Sequence, residues 1–211
     1  MPLILPAPPQ DAYDALDLGL HPLASSPGIT AHLPHAAKAV ARVASGAAAT
    51  PPTPQPANLK LSLGSFVLEL NALADSDLSA ARSTGWHHLL ATGVGRATVL
   101  ARTALRNNQH TFAALSESPF ADELQDRIAQ LQGDPQVKAG SFDAALLQVP
   151  ALHVVAIWLK DTTHHQDLIV PLAPAFPPLT AGHHYTAAQF LAALRPLARA
   201  KLQADDPRQG G

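Results

Sequence analysis

SFDAALLQV, residues 141–149, and ALHVVAIWL, residues 151–159, are separated only by Pro150, and the fold turns on how they are read. Both are rich in aliphatic, β-branched and aromatic residues, the composition of strands. In the second, Leu152, Val154, Ala156 and Trp158 alternate with Val155, Ile157 and Leu159, so both faces are apolar. That pattern predicts a strand at the centre of a sheet, covered on both sides. Pro150 cannot donate to a ladder and marks a bulge or an edge irregularity. His153, inside the apolar run, reads as a hydrogen-bonded core histidine. After Asp161-Thr-Thr-His-His-Gln166, the segment LIVPL (168–172) supplies a third strand.

Working outward toward the C-terminus, Thr186-Ala-Ala-Gln189 is a capping box. Behind it Phe190, Leu191, Leu194, Leu197 and Leu202 share one helical face, with a kink expected at Pro196. Residues 205–211 are a polar tail expected to fray. Toward the N-terminus, Ser118 caps a helix with Pro119 at its first position, a stripe of Phe120, Leu124, Ile128 and Leu131, and Gly133 as its stop. Before it, Asp75-Ser76-Asp77 precedes Leu78, Ala81, Trp86, Leu90, Val94, Ala97, Leu100 and Ala104 at nearly helical spacing. This predicts a long helix, interrupted at Gly85, Gly93 or Gly95 and ending at Asn107-Asn108. Leu59, Leu61 and Leu63 alternate as in a strand, and Phe66, Leu68 and Leu70 alternate in the opposite phase, which places a bulge or tight turn at Gly64-Ser65.

Residues 1–58 carry prolines at 2, 6, 8, 9, 22, 27, 34, 51, 52, 54 and 56. Each fixes φ and removes a donor, leaving one short helix at His35–Ser45 and a semi-rigid spacer over AAATPPTPQPAN, residues 47–58. The fold class expected is therefore α+β, a small mostly antiparallel sheet packed against helices, with a Pro-rich N-terminal arm. Its parts are the arm (1–58), a globular domain (59–204) and the tail (205–211).

Composition narrows the functional classes. The 211 residues include 14 basic and 16 acidic side chains, giving a formal charge of −2, and no Lys/Arg cluster that would neutralise phosphates. Nucleic acid is not an expected partner. The start MPLILPAPPQD lacks the basic and long apolar regions of a secretion signal, and no apolar run approaches the ~20 residues that span a bilayer. No membrane partner is expected. With no cysteine, disulfides and thiolate chemistry are excluded, and the reading favours the cytoplasm. Charged residues make up 14% of the chain against about 25% in an average protein, so the surface is weakly protected against association. A protein partner or self-association follows as an expectation.

Histidine is the residue type that points to chemistry, with six of 11 in the pairs His87-His88, His164-His165 and His183-His184. Neutral imidazole binds metals, and His165, Asp167 and His183 could meet across two loops as a three-ligand site. Against it, adjacent side chains diverge on a strand or a helix and no HExxH-type pair exists, so no bound metal is expected. Gly93-Val94-Gly95-Arg96-Ala97 resembles a phosphate-binding turn but falls inside the helical pattern, so no cofactor is expected. Glu69, Asp75, Asp77, Asp143 and Asp161 form no recognisable pair, no GxSxG elbow occurs, and Trp86 and Trp158 read as core. The functional expectation is a non-catalytic interaction or accessory protein, a subunit of a larger assembly. The alternative is a metal-dependent enzyme or metal-binding protein using the histidine loops.

Overall fold

The structure, a computed structural model, describes residues 3–24, 59–91, 98–164 and 166–205. Among these, the chain runs α1 (Gln10–Ala24), β1 (Leu59–Val67), α2 (Leu70–Asp75), a single turn at Leu78–Ala80, β2 (Arg82–Ala91), β3 (Thr98–Arg106) and β4 (Gln109–Glu117). It continues with α3 (Pro119–Gly133), α4 (Pro135–Ala139), β5 (Phe142–Val149), a turn at Pro150–Leu152, β6 (Val154–Asp161), β7 (Leu168–Pro171), β8 (Tyr185–Thr186) and α5 (Ala187–Ala204). The strands form one mixed sheet in the order β4-β3-β2-β1-β5-β6-β7-β8, mostly antiparallel with one parallel pairing.

The α+β class holds, but the small sheet expected from the sequence is overturned by eight strands. The error lies at Leu78–Ala104, whose described residues form a single turn and the strands β2 and β3 in place of the expected long helix. Trp86, His88 and Leu90 of β2 face Thr103, Ala101 and Val99 of β3 in antiparallel register. Leu89 and Leu90 are adjacent and both fully buried, as strand neighbours are when a sheet is covered on its two faces. Gly85 has φ +129°, and a Cβ there would meet the Thr103 carbonyl oxygen, so glycine is required where β2 crosses β3. Asn107 and Asn108, read as a helix end, have φ 50° and 59° and form the two-residue turn of a β3–β4 hairpin.

The chain packs as two compact units: residues 1–4, 65–83 and 130–211, and residues 5–64 and 84–129. In the first, the core collects Leu68, Leu73, Ala145, Leu147, Ala156, Trp158, Ile169, Phe190, Leu191 and Leu194. The helix expected behind Thr186 is there with its capping box complete, Thr186 Oγ1 accepting from Gln189 N and Gln189 Oε1 from Thr186 N, and it continues through Pro196. Ala156, Ile157, Trp158 and Leu159 of β6 are all buried, as both-face coverage predicts, yet β6 is sixth in the sheet, and β1 and β5 occupy its middle. Residues 150–152 are a turn rather than strand, and His153 is an exposed left-handed residue at φ 53°, not a core histidine.

In the second unit, α1 is the element the prolines obscured. No proline falls between Pro9 and Pro22, and Ala12, Tyr13, Leu16 and Leu20 recur at helical spacing along its buried face. Leu16 and Leu20 pack with Leu90, Val99 and Ala101. Phe112 and Leu115 of β4 join the same cluster although they are three residues apart, because the β3–β4 register shifts at Arg102/Thr103 and leaves Ala113 as an extra residue. β1 runs unbroken through Gly64 and Ser65, where a bulge or turn was expected. The helix expected at His35–Ser45, the spacer at 47–58 and the glycine turn at 93–97 lie outside the described residues.

Candidate functional site

Two groups of polar side chains have the density of a site, one in each unit. In the first unit, the loop after β6 is organised by two carboxylates. Asp161 Oδ1 accepts from Thr163 N and Thr163 Oγ1, both at 2.8 Å, and from His164 N at 3.1 Å, while Oδ2 accepts from Gln166 N at 3.2 Å. These donors, the Thr163 amide foremost, hold its carboxyl far below the usual carboxylate range. Asp167 is engaged through both oxygens as well, Oδ1 accepting from Asp161 N at 2.9 Å and Oδ2 from Trp158 Nε1 at 2.7 Å. A cavity of about 530 Å³ opens beside the loop, lined by Gln136, Phe142, Asp161, His164, Gln166 and Thr186 among others. The carboxylates at its wall are committed to holding the loop.

The sequence-derived metal candidates fall in or near this loop. His165 lies outside the described residues, Asp167 binds Trp158 and the Asp161 amide, and the His183 ring stands edge-on to Tyr185 at 4.6 Å between centroids. His184 contacts Gln136 Oε1 at 3.1 Å through Nδ1 and lies 3.9 Å from Asp134 Oδ2 through Nε2. Among the described residues no three His, Cys, Asp or Glu side chains converge as metal ligands.

In the second unit the buried polar group is His88, which lies on β2 between hydroxyls from the flanking strands. Its Nδ1 is 2.9 Å from Ser62 Oγ on β1, its Nε2 is 3.2 Å from Thr103 Oγ1 on β3, and Tyr13 of α1 lies over it at 6.4 Å. His88 is fully buried, Ser62 and Thr103 nearly so, and burial, then the charge of His110, pushes its pKa down to about 4. A neutral imidazole donates through one nitrogen and accepts through the other, so one hydroxyl accepts while the other donates. A cavity of about 170 Å³ lined by Leu5, Pro6, Pro8, Tyr13, Lys60 and Ser62 reaches the Ser62 end.

His87 points the opposite way from its neighbour, is 6% exposed, and has no partner for Nδ1. Burial, followed by the charges of Arg102 and His88, pushes it down to about 3. Sequence reasoning treated His87-His88 as one pair among three and did not see that a strand would bury both. The available signal was the alternation Trp86, His88, Leu90. No protein-family model matches the chain, and neither the curated proteins nor the solved structures give a match.

Among the described residues no helix is long and apolar enough to cross a membrane.

The two ends of the sheet differ. β8 has two residues and leads directly into α5. β4 has nine, pairs with β3 along one side, and among the described residues no strand pairs with its other side. His110 N donates to Asp11 Oδ2 at 3.4 Å, and the His110 ring meets the same oxygen at 2.7 Å, so the hairpin end of this edge is capped by α1. Beyond it, QHTFAALSE carries a single formal charge, Glu117, and no Lys, Arg or Pro.

Proposed function

We propose that the chain is a non-catalytic interaction subunit that takes a strand from a protein partner along the outer edge of β4. The observation that carries this reading is the nine-residue edge itself. An edge strand presents a row of unpaired backbone donors and acceptors, and proteins that avoid pairing there use short edges, Lys, Pro or covering elements. The two-residue β8 follows that rule, whereas among the described residues β4 shows the Asp11 cap at one end and the bulge at Ala113 and no covering strand. A weakly charged surface, with 14% charged residues in the chain, supports the same reading. The committed hydrogen bonds of Asp161, Asp167 and His88 fit side chains that hold the fold.

The test compares wild-type chain with Ala113→Lys, both expressed at native level in the source cell and purified with their partners. Ala113 is exposed at the bulge, so lysine there charges the edge without entering the core. A partner that protects residues 109–117 from hydrogen exchange and is depleted about tenfold by Ala113→Lys, about 1.4 kcal/mol of binding, is the expected result. A partner retained equally by both chains would sink the proposal.

A further inference from the structure

We infer that the strand received by β4 is β4 of a second copy of the same chain, paired antiparallel about a two-fold axis between Ala113 and Ala114. This rests on the strand-docking reading and adds the identity of the occupant. The argument starts from which backbone groups face outward. The His110 amide reaches Asp11 rather than its β3 neighbour Leu105, so His110 turns its backbone away from β3, and by alternation so does Phe112. The extra residue Ala113 then reverses the phase, which brings Leu115 outward in the second half of the strand.

An antiparallel partner must meet outward groups with outward groups. For β4 against itself, the register that does so sets Phe112 opposite Leu115 and Thr111 opposite Ser116, while His110 at the end keeps its bonds to Asp11 and takes no part. Each pairing is favourable or neutral: two apolar side chains that already share one face of the sheet, and two hydroxyls. No like charges meet. The bulge, which usually spoils an edge, here makes the strand complementary to its own copy, since the two halves of the strand expose backbone in matching phase on either side of the axis. A two-fold contact of this kind is closed, giving a dimer rather than a fibre.

The experiment is sedimentation equilibrium of the full chain from about 1 to 300 μM, with hydrogen exchange measured at both ends of that range. The expected result is a rise from one chain mass, 22.1 kDa, toward twice that value, with protection of residues 109–117 growing in step. Ala113→Lys, and independently Thr111→Lys on the exposed face, should hold the protein at one chain mass with an unchanged thermal transition. Two variants guard against one of them misfolding. A wild-type chain monomeric at every concentration overturns the inference, as does a dimer that both lysine variants leave intact. If the chain is monomeric but a different protein protects residues 109–117 in the native complex, the second copy is excluded while strand docking stands. If nothing protects those residues in either experiment, both fall.

Discussion

In the first unit the most heavily hydrogen-bonded side chains lie at the rim, where Asp161 and Asp167 collect amide and indole donors around one loop. In the second they lie inside the sheet, where His88 is held between Ser62 and Thr103 with His87 buried on the opposite face. At the rim, the donors that Asp161 gathers hold its carboxyl ionised, far below the usual carboxylate range. The interior imidazoles are neutral because burial has removed the charged form. One unit thus keeps a charge and the other excludes one. Acid should separate them.

The sharpest way to break that comparison is a pH titration. The unfolded-state pKa of histidine is near 6.5 and the folded values are about 3 for His87 and about 4 for His88, so between these limits the unfolded chain binds more protons. Stability is fully present above pH 6.5 and falls by about 1.4 kcal/mol per pH unit for each histidine as pH drops toward 4. Asp161 has a depressed folded pKa, so its contribution persists until pH falls below its unfolded value of about 3.9. Trp86 lies in the second unit and Trp158 in the first, so Trp158→Phe and Trp86→Phe give a reporter for each. The Trp86 emission should shift above pH 4. If it holds until pH falls below 4, the buried histidines do not titrate as their burial implies.

Next in size is Trp158→Ala. The indole is 7% exposed, stands edge-on to Phe66 at 5.5 Å and donates to Asp167. Truncation should cost about 3–5 kcal/mol in denaturant unfolding through the lost burial and the cavity left behind. A loss below about 1 kcal/mol would mean the ring is not part of the core. Ser62→Ala sharpens the picture of the second unit, since it leaves the buried His88 Nδ1 without its partner and should cost about 1–3 kcal/mol. The triple change Ser62→Ala, His88→Leu, Thr103→Val removes the whole polar chain and should be closer to neutral than the single change. If the triple variant is the less stable, the three groups add net stability rather than only satisfying one another. The smallest effect is expected at Lys160, whose Nζ lies 3.4 Å above the Phe66 ring and 4.3 Å from that of Trp158. Burial lowers its pKa, and Lys160→Met should change stability by less than about 1 kcal/mol, because the thioether chain replaces the covered methylenes while the cation–π contact is lost.

How much of this was legible follows the strength of the local signal. β5, β6, β7, α3 and α5 were read from sequence because each carries a dense local signal, a strand-length apolar run or a cap at the right offset. The second unit misled because its strands are written in small residues. Leu78, Ala81, Trp86, Leu90, Val94, Ala97, Leu100 and Ala104 fit a helical period only when the residues between them are ignored. Counting Trp86, His88 and Leu90 against Val99, Ala101 and Thr103 restores the alternation. Histidine and threonine did not register as buried positions, since their hydrogen-bond partners come from other strands and are invisible in a local window. The Asn107-Asn108 turn was the available correction, as a pair of asparagines tolerates positive φ and marks a two-residue hairpin. α1 was hidden because His35–Ser45 reads as the one proline-free gap fit for a helix, whereas the gap between Pro9 and Pro22 holds one as well. The edge of β4 was beyond reach, because which strand ends a sheet is a property of the pairing order and not of any one segment.

That asparagine turn also bears on the order in which the chain assembles. Joining β3 to β4 closes a loop of two residues, whereas Asp11 meets His110 across a separation of 99 positions. Loop closure grows costlier with length, so the hairpin can form in microseconds before α1 has found it. On this account the hairpin belongs to the folding nucleus and α1 docks late. Substitutions in the turn should slow refolding, and substitutions at Leu16 or Leu20 should chiefly hasten unfolding.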